Sequence, residues 1–230
     1  MEKKKKVLFA TPSLEGPTAP YMDALAKSIP LIIEAGWDEA YVQEVGCPYI
    51  SHARSKMTRR ALDAGADVIV YLDYDLSWDP EDLLTLINTE GDVAAGTYRY
   101  KKDEVEYMGA LECNFNGTPK VNKDGTIEGF NAPAGFLKIT RNGVRRFMKA
   151  YPQLIYGDQE LPSIDLFNHG AIDGVWYGED MAFSKRWKAL GGQLKIVPNL
   201  NLNHHAKNGK VYPGNFHEFM LNQPRPSLLS

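Results

Sequence analysis

The sequence predicts an α/β protein with a mixed, mainly parallel sheet flanked by helices. In the first hundred residues, short apolar runs alternate with segments of helical periodicity, as in chains that connect parallel strands through helices. One run, Val68–Leu72, is apolar at every position, which is typical of a strand covered on both faces. After residue 100, shorter apolar segments separated by turns favour antiparallel strands.

Four strands and three helices are predicted in the first hundred residues. The strands are short apolar runs at residues 7–10, 40–45, 68–72 and 92–96. The first helix spans residues 19–35, where Pro30 should kink or divide it. The second helix begins at the N-cap Ser51 and ends at Gly65. The Asp79-Pro80 pair opens the third helix with a cap and a proline at its first position.

The second half is predicted to add antiparallel strands and two helices. The strands lie at residues 105–113, 119–129, 136–139, 194–197 and 200–202, and the last two close the sheet. The helices lie at 142–150 and 178–190, separated by a loop-rich stretch. The segment from His204 to Ser230 is predicted to be coil. The chain is therefore expected to be one domain, with a first half (about 1–100), a second half (about 101–205) and a C-terminal tail (206–230).

Composition narrows the class of protein. A chain of 230 residues can bury a large core without disulfides. The two cysteines, Cys47 and Cys113, lack metal-site spacing, so a reduced cytoplasmic protein is the simplest interpretation, with one buried disulfide as the alternative. A net charge of −3 provides no overall basic surface for nucleic acid. No run approaches the ~20 apolar residues that a membrane span requires.

The strongest chemical signal is Asp73-Tyr74-Asp75, which directly follows the apolar run at 68–72. In parallel α/β sheets, ligands bind beyond the carboxyl ends of strands. Two carboxylates separated by one residue suit a divalent cation there. Mg²⁺ and Mn²⁺ prefer oxygen ligands and complete their shells with substrate phosphates. The alternative is an acidic loop that caps the helix at Pro80.

The segment from Gly65 to Asp75, followed by Pro80, resembles the Asp-x-Asp segment of GT-A glycosyltransferases, above all small viral and bacterial members. In those enzymes an Ala-Arg-Asn-like element precedes the segment by about twenty residues, and this chain has Ala53-Arg54-Ser55 there. Serine in the third position departs from the pattern. The resemblance covers about residues 7–205. It implies a GT-A fold, a nucleotide-sugar donor and a divalent metal, Mn²⁺ or Mg²⁺. It also implies that the first half (about 1–100) is the nucleotide-binding half and the second (about 101–205) the acceptor-side half.

A second match runs from Gly178 through Glu179 and Asp180 to Phe183, with Arg186 following. It is similar to the Glu-Asp motif that opens a helix beside the acceptor site in these enzymes. A carboxylate at a helix N-terminus is stabilised as an anion, and a partly desolvated pocket can raise its pKa for general-base work. The resemblance implies Asp180 as the base and Glu179 as an acceptor or structural ligand. The alternative is an acidic pair that stabilises its own helix.

A third match is the pair His204-His205 after the last predicted strand. GT-A enzymes often bring a late histidine to the metal, and the spacing from Pro198 favours His204, with His205 as the fallback. The resemblance thus implies a metal held by Asp75 and His204, with Asp73 as a further ligand. Two polar residues at a strand end are the alternative.

The resemblance also assigns residues to the two substrates. The donor-side candidates are Thr11, Pro12, Ser13, Arg54, Asp73, Tyr74, Lys207 and Lys210. The acceptor-side candidates are Gly135, Phe136, Trp176 and Tyr177, and Tyr98 and Tyr100 are further candidates for stacking on sugars. Each set has a structural alternative: a salt bridge between Arg54 and Asp73, solvated lysines, an ordinary strand start at Gly135, and aromatic core residues.

The motifs together predict transfer of a sugar from a nucleotide-sugar donor, with UDP favoured by the resemblance, to an acceptor hydroxyl. Inversion at the anomeric carbon is favoured over retention. The acceptor is open between a glycan, a protein and hydroxymethylated bases of viral DNA. DNA would require a local basic patch, for which the candidates are Arg141, Arg145, Arg146 and Lys149.

Three rival functions remain open at this stage. A nucleotidyltransferase usually has a glycine-rich basic loop after its first strand, whereas residues 11–18 contain one glycine and no lysine or arginine. A non-catalytic nucleotide-sugar-binding module would bind the donor without releasing nucleoside diphosphate. A metal-dependent hydrolase would transfer the sugar to water instead of an acceptor.

Overall fold

The computed structural model describes residues 4–222, and a large mixed sheet flanked by helices organises them. The helices are α1 (Ala19–Glu34), α2 (Ile50–Asp63), α3 (Pro80–Asn88), α4 (Arg141–Ala150), α5 (Glu179–Ala189) and α6 (Phe216–Leu221). The strands of the first hundred residues are β1 (Lys5–Ser13), β2 (Trp37–Val45), β3 (Val68–Leu72), β4 (Leu76–Trp78) and β5 (Val93–Gly96). Those that follow are β6 (Ala110–Leu111), β7 (Ile127–Asn131), β8 (Phe136–Thr140), β9 (Ile155–Tyr156), β10 (Ser163–Ile164), β11 (Gly170–Ile172), β12 (Val175–Tyr177), β13 (Lys195–Val197), β14 (Asn201–His205) and β15 (Val211–Asn215).

Strands from both halves of the chain form one eight-stranded sheet, in the order β2-β1-β3-β8-β5-β13-β7-β6. The pairings show that β8 and β7 run opposite to the other six strands. Buried apolar side chains form one core cluster on each side of this sheet. The predicted α/β class with a mixed sheet flanked by helices is therefore confirmed.

The register of β8 against β3 fixes the geometry of the sheet edge. Leu72, the last residue of β3, pairs with Phe136, the first residue of β8. The turn before β8 consequently lies beside the residues that follow β3. The backbone N–H of Asp73 donates to the carbonyl of Gly135 at 2.8 Å.

A second, three-stranded sheet brings a late segment of the chain to the same edge. Its order is β15-β14-β4, with antiparallel pairing throughout. Strand β4 begins immediately after Asp73-Tyr74-Asp75, and His204 in β14 pairs with Leu76. The N–H of His205 donates to the carbonyl of Asp75 at 2.8 Å. This pairing is what places β14 next to the acidic segment.

Three local predictions in the first half were wrong. The first strand does not end at residue 10, because parallel pairing with β2 continues through Thr11 and Pro12 as far as Ser13. Pro30 does not divide α1; the carbonyl that its ring leaves unbonded belongs to Ala26, and both residues are exposed to water. Ser51 lies inside α2, whose N-cap is Tyr49.

Three predictions in the second half were also wrong. The segment at 200–202 does not close the main sheet, because β14 pairs instead with β4 and β15. The tail is not coil as far as residue 222, since it contains β15 and α6; residues 223–230 lie outside the described part. The two long antiparallel strands predicted at 105–129 are mostly turns and isolated bridges, with short strands only in β6 and the start of β7.

Within residues 4–222, no helix has the length and apolar character needed to cross a membrane.

Candidate functional site

A cleft of about 260 Å³ lies where β1 and β3 end. Its lining consists of Pro12, Ser13, Leu14, Cys47, Pro48, Ile50, Asp73, Tyr74, Asp75 and His204. The end of β1, the acidic segment after β3 and the histidine of β14 are thus brought together from three distant parts of the sequence. Pro12, Leu14, Pro48 and Ile50 make much of the remaining lining apolar.

Asp75 is a buried carboxylate of the cleft whose negative charge is stabilised by neighbouring side chains. It is only 7% exposed. One carboxylate oxygen accepts a hydrogen bond from the ammonium group of Lys101, and Nε2 of His204 lies 3.6 Å from the other. Burial opposes ionisation, yet the adjacent His204 imidazole and the Lys101 ammonium hold the pKa of Asp75 below its ordinary value. The carboxylate therefore remains charged and ready to bind a cation.

The two adjacent histidines point to different surroundings. Nδ1 of His204 lies 2.8 Å from the backbone carbonyl of Arg99. A carbonyl only accepts, so Nδ1 carries the hydrogen, and in the neutral ring the lone pair of Nε2 faces Asp75. Successive side chains of a strand point to opposite faces, and Nε2 of His205 is hydrogen-bonded to Ser77 at 2.8 Å. The geometry separates His204, which faces Asp75, from the fallback His205.

Asp73 is held by protein groups on both sides. Its carboxylate accepts hydrogen bonds from Arg54 and from the phenol of Tyr98, each at 3.1 Å. Burial raises the pKa of Asp73, although Arg54 opposes this. A Cβ atom on Gly135 would lie 2.1 Å from the Tyr98 hydroxyl and 2.2 Å from Oδ2 of Asp73. Gly135 is thus required because the acid and the phenol pack directly against its backbone.

Arg54 links the acidic segment to α5. The guanidinium donates to Asp73 and, through Nη1, to Glu179 at 3.0 Å, and it lies over the ring of Phe167. Arg54 is 1% exposed. The predicted contact with a donor phosphate is therefore corrected: burial leaves this arginine out of reach of a ligand. The alternative, a structural salt bridge with Asp73, is what the structure contains.

Asp180 belongs to the same group of acids. Its Oδ1 accepts the N–H of Met181 at 2.6 Å. Burial raises the pKa of Asp180, and the neighbouring Glu179 raises it further. Burial also raises the pKa of the Tyr98 phenol, with added contributions from Asp73 and Asp180, because all three groups lie close together.

The net charge of this group favours a cation. Its four carboxylates are those of Asp73, Asp75, Glu179 and Asp180, and its two cationic side chains are Arg54 and Lys101. Within residues 4–222, no three His, Cys, Asp or Glu side chains form a ready metal cluster. Asp75 and His204 nevertheless fit part of a divalent shell. His204 donates Nδ1–H to a carbonyl, as metal-binding histidines usually do, and the Lys101 ammonium already stands as a cation against Asp75.

Two predicted ligand-binding side chains lie inside the core. Thr11 is fully buried, and its hydroxyl is hydrogen-bonded to that of Tyr21. Phe136 is also fully buried and packs against Trp78, with ring centroids 5.4 Å apart. Neither side chain can contact a substrate. Both expectations are corrected, because the alternation along a strand turns these positions away from the cleft.

The remaining candidates lie at the surface. Lys207 pairs with Glu15 at 3.1 Å, and Lys210 pairs with Asp103. Trp176 in β12 is 71% exposed. The hydroxyl of Tyr177, the next residue of β12, accepts a hydrogen bond from Lys185 at 3.2 Å.

Sequence reasoning missed two residues that shape the site. Lys101 stands in a run of mixed charges from 101 to 106, so nothing local distinguishes it from a solvated lysine. Tyr98 was a candidate for sugar stacking, but it is 1% exposed and serves Asp73 instead. Its buried neighbours in β5 hinted at burial, whereas its hydrogen bond to Asp73 depends on the sheet order.

Comparison with known proteins shows similarity only at the level of structure. No protein-family model matches the chain, and no curated protein matches its sequence. The crystal structure of A197 from STIV is similar over 92% of this chain and 94% of that chain, with 17% identity and a TM-score of 0.53. The catalytic domain of Drosophila β1,4-galactosyltransferase 7 matches over 98% of this chain and 77% of that chain, with 11% identity and a TM-score of 0.46. TarS from S. aureus, in complex with UDP-GlcNAc, matches over 84% of this chain and 56% of that chain, with 10% identity and a TM-score of 0.44.

At these identities the likeness is one of fold. The fold class expected from the sequence, a mixed sheet flanked by helices, is the fold observed, and A197 from STIV is similar to it over most of both chains.

Proposed function

We propose that this protein is a metal-dependent glycosyltransferase that moves a sugar from a nucleotide-sugar donor to an acceptor hydroxyl, with inversion at the anomeric carbon. One observation carries the proposal. Asp73, Asp75 and His204 line one cleft, and Arg54 connects Asp73 to the first turn of α5 by contacts of 3.1 Å to Asp73 and 3.0 Å to Glu179. A cation-binding wall and a carboxylate of raised pKa are the two parts that such a displacement needs.

The cleft suits the nucleoside part of the donor. Its floor is formed by β1 and the loop before α2, where Pro12, Leu14 and Ile50 offer apolar surface to a base. Ser13 and the Asp73-Tyr74-Asp75 backbone border the same space. A nucleoside seated there would direct its diphosphate toward Asp75. UDP is the favoured carrier on the sequence resemblance.

Asp75 and His204 would hold a divalent cation, Mn²⁺ or Mg²⁺, with phosphate oxygens and water completing the shell. Such an ion, when bound, neutralises the charge that develops on the departing diphosphate. Asp73 is less suited to be a ligand, because Arg54 and Tyr98 already occupy its oxygens. Its role in the proposal is to hold Arg54 and the turn at Gly135 in place.

Asp180 is the proposed general base. Burial raises its pKa, which makes the Asp180 carboxylate a stronger base toward the proton of an acceptor hydroxyl. Glu179 is fixed by Arg54 and orients the first turn of α5. The proton moves to the Asp180 carboxylate as the acceptor oxygen attacks the anomeric carbon.

A glycan acceptor is proposed in preference to DNA. The basic residues considered for DNA are on α4, which follows Thr140, and Thr140 pairs with Val68 at the start of β3. Helix α4 therefore begins at the sheet edge opposite to Asp73. Arg141 also donates to backbone carbonyls of Ala66 and Leu62. This patch is too far from the cleft to guide a modified base into it.

A thermal-shift panel tests the proposal directly. A ligand that binds the folded state raises its stability by about 2.7 kcal/mol at a hundred times its Kd. We expect UDP with Mn²⁺ to give the largest rise in Tm among the nucleoside diphosphates, and UDP without metal to give a small one. UDP-sugars should then release UDP only with metal present. The absence of any shift for every nucleotide with Mn²⁺ would exclude the proposed donor site.

A further inference from the structure

A single loop contacts both members of the proposed metal pair. This 99–107 loop is closed by a bridge between Arg99 and Tyr107 and by a 3.0 Å hydrogen bond from Tyr100 N–H to the Glu106 carbonyl. Its Arg99 carbonyl accepts Nδ1–H of His204, and its Lys101 ammonium lies against Asp75. One segment thus sets the orientation of the histidine and supplies a cation to the acid.

The loop backbone is firmly held while the Lys101 side chain has freedom to move. Nη2 of Arg99 donates to the carbonyl of Asp103 at 3.1 Å, and Lys210 fixes the Asp103 carboxylate from the β14–β15 turn. The Lys101 side chain is 32% exposed, compared with 10% for Asp75. A lysine side chain has a flexible four-carbon stem, so its ammonium group can move by several ångströms while the backbone stays fixed.

Lys101 and a divalent cation cannot share Asp75 without repulsion. In the free protein the ammonium satisfies a carboxylate that is almost completely buried, and leaving such a group unpaired is unfavourable. An ion bound between Asp75 and His204 satisfies the same carboxylate and repels the ammonium. A diphosphate that accompanies the ion presents oxygens that attract it.

We infer that Lys101 is a diphosphate-binding residue. Its ammonium group pairs with Asp75 in the free protein and moves to pair with the donor phosphates when the cation binds. The inference rests on the proposed function and identifies a phosphate ligand that the Asp-x-Asp segment itself lacks. Lys101 thereby weakens binding of the metal alone and strengthens binding of the metal together with the diphosphate. The site then favours the intact metal–donor pair over the free ion.

Opposite changes in two affinities test this role. In Lys101→Met, we expect Mn²⁺ alone, titrated by electron paramagnetic resonance, to bind about fivefold more tightly, because a competing ion pair is removed. UDP in saturating Mn²⁺, measured by calorimetry, should bind about tenfold more weakly because a charged hydrogen bond is lost. Lys101→Arg should restore UDP binding. Lys102→Met is the matched control, since that ammonium pairs with Glu106, and both affinities should stay unchanged.

The possible outcomes separate the two proposals. Wild-type protein that binds neither Mn²⁺ nor UDP contradicts the proposed function itself. Wild-type protein that binds both, with Lys101→Met unchanged or weakened for both ligands, contradicts only the role of Lys101. Should Lys101→Met fail to fold, Lys101→Gln keeps a donor for Asp75 without the charge. The same pair of opposite changes is expected from Lys101→Gln, and their absence overturns the inference.

Discussion

The proposed donor side and the proposed acceptor side of the site are built in different ways. The proposed donor side stands on β1 and β3, whose residues are almost all buried and whose partners are fixed along their whole length. The proposed acceptor side comprises residues 151–178 and the start of α5, and it contains two hairpins with strands of two or three residues. Its Trp176 and Val175 are more than half exposed. In the proposal, the sheet therefore sets the position of the donor, whereas loops, which tolerate sequence change, contact the acceptor.

Arg54 is the connection between the two sides. It is buried on α2 and binds one acid from each, Asp73 after β3 and Glu179 at the start of α5. Asp180, the proposed base, is therefore positioned through Arg54 by the proposed donor side. In the proposal, the buried contacts of Arg54 fix the position of the base, and the loops at residues 151–178 decide the choice of acceptor.

The largest effect is expected at the donor side. Asp75→Ala removes the charged ligand of the proposed cation site, and we expect metal-dependent release of UDP from a UDP-sugar to fall at least about a thousandfold. Mn²⁺ binding should be lost in parallel. Asp38→Ala, at an exposed position of β2, is the control and should retain full turnover. Normal turnover in Asp75→Ala would remove the metal role from this residue.

Asp180→Asn tests whether Asp180 acts as a general base or only stabilises the structure. Transfer should fall by about a hundred- to thousandfold, while UDP affinity stays unchanged. The base acts only when ionised, and burial raises the pKa of Asp180, so wild-type kcat should fall as pH drops through a value above the ordinary aspartate range. A kcat–pH profile that keeps this inflection in Asp180→Asn would assign the inflection to another group.

Gly135→Ala probes the packing that joins β8 to the acidic segment. The added Cβ would lie 2.1 Å from the Tyr98 hydroxyl and 2.2 Å from Asp73, so both must move. We expect a loss of about 1–3 kcal/mol in the free energy of unfolding, measured in urea, and weaker UDP binding. Gly143→Ala in α4 serves as the control, because its nearest neighbour is 3.2 Å away and it lies at the opposite sheet edge. Equal losses in the two variants would show that Gly135 has no special role.

The contrast between the two sides also explains how far the sequence could predict the molecule. Strand β3 was predicted residue for residue, because its five apolar residues require burial on both faces. The α5 helix was predicted within one residue at each end, from its acidic first turn and the glycines that follow it. Both features depend on local composition.

The contacts that complete the site depend on the arrangement of the whole chain. Arg54 and Glu179 are 125 residues apart, and Lys101 and Asp75 are joined through a loop with no distinctive pattern. Strand β14 carries only one fully buried apolar residue, Leu202, so the pattern of a second sheet was too weak to recognise. Residues of this kind can be identified only when the register of the sheets is known.

Trp176→Ala should have the smallest effect and addresses the loop side alone. The side chain is 71% exposed, so the free energy of unfolding should change by no more than about 0.5 kcal/mol. If the indole packs on the acceptor, KM for transfer to mono- and disaccharides should rise about fivefold, while UDP release to water stays constant. Val175→Ala, its exposed neighbour on the opposite face of β12, is the matched control. A fall in UDP release equal to the fall in transfer would mean that this loop supports the donor side, and the division between the two regions would no longer hold.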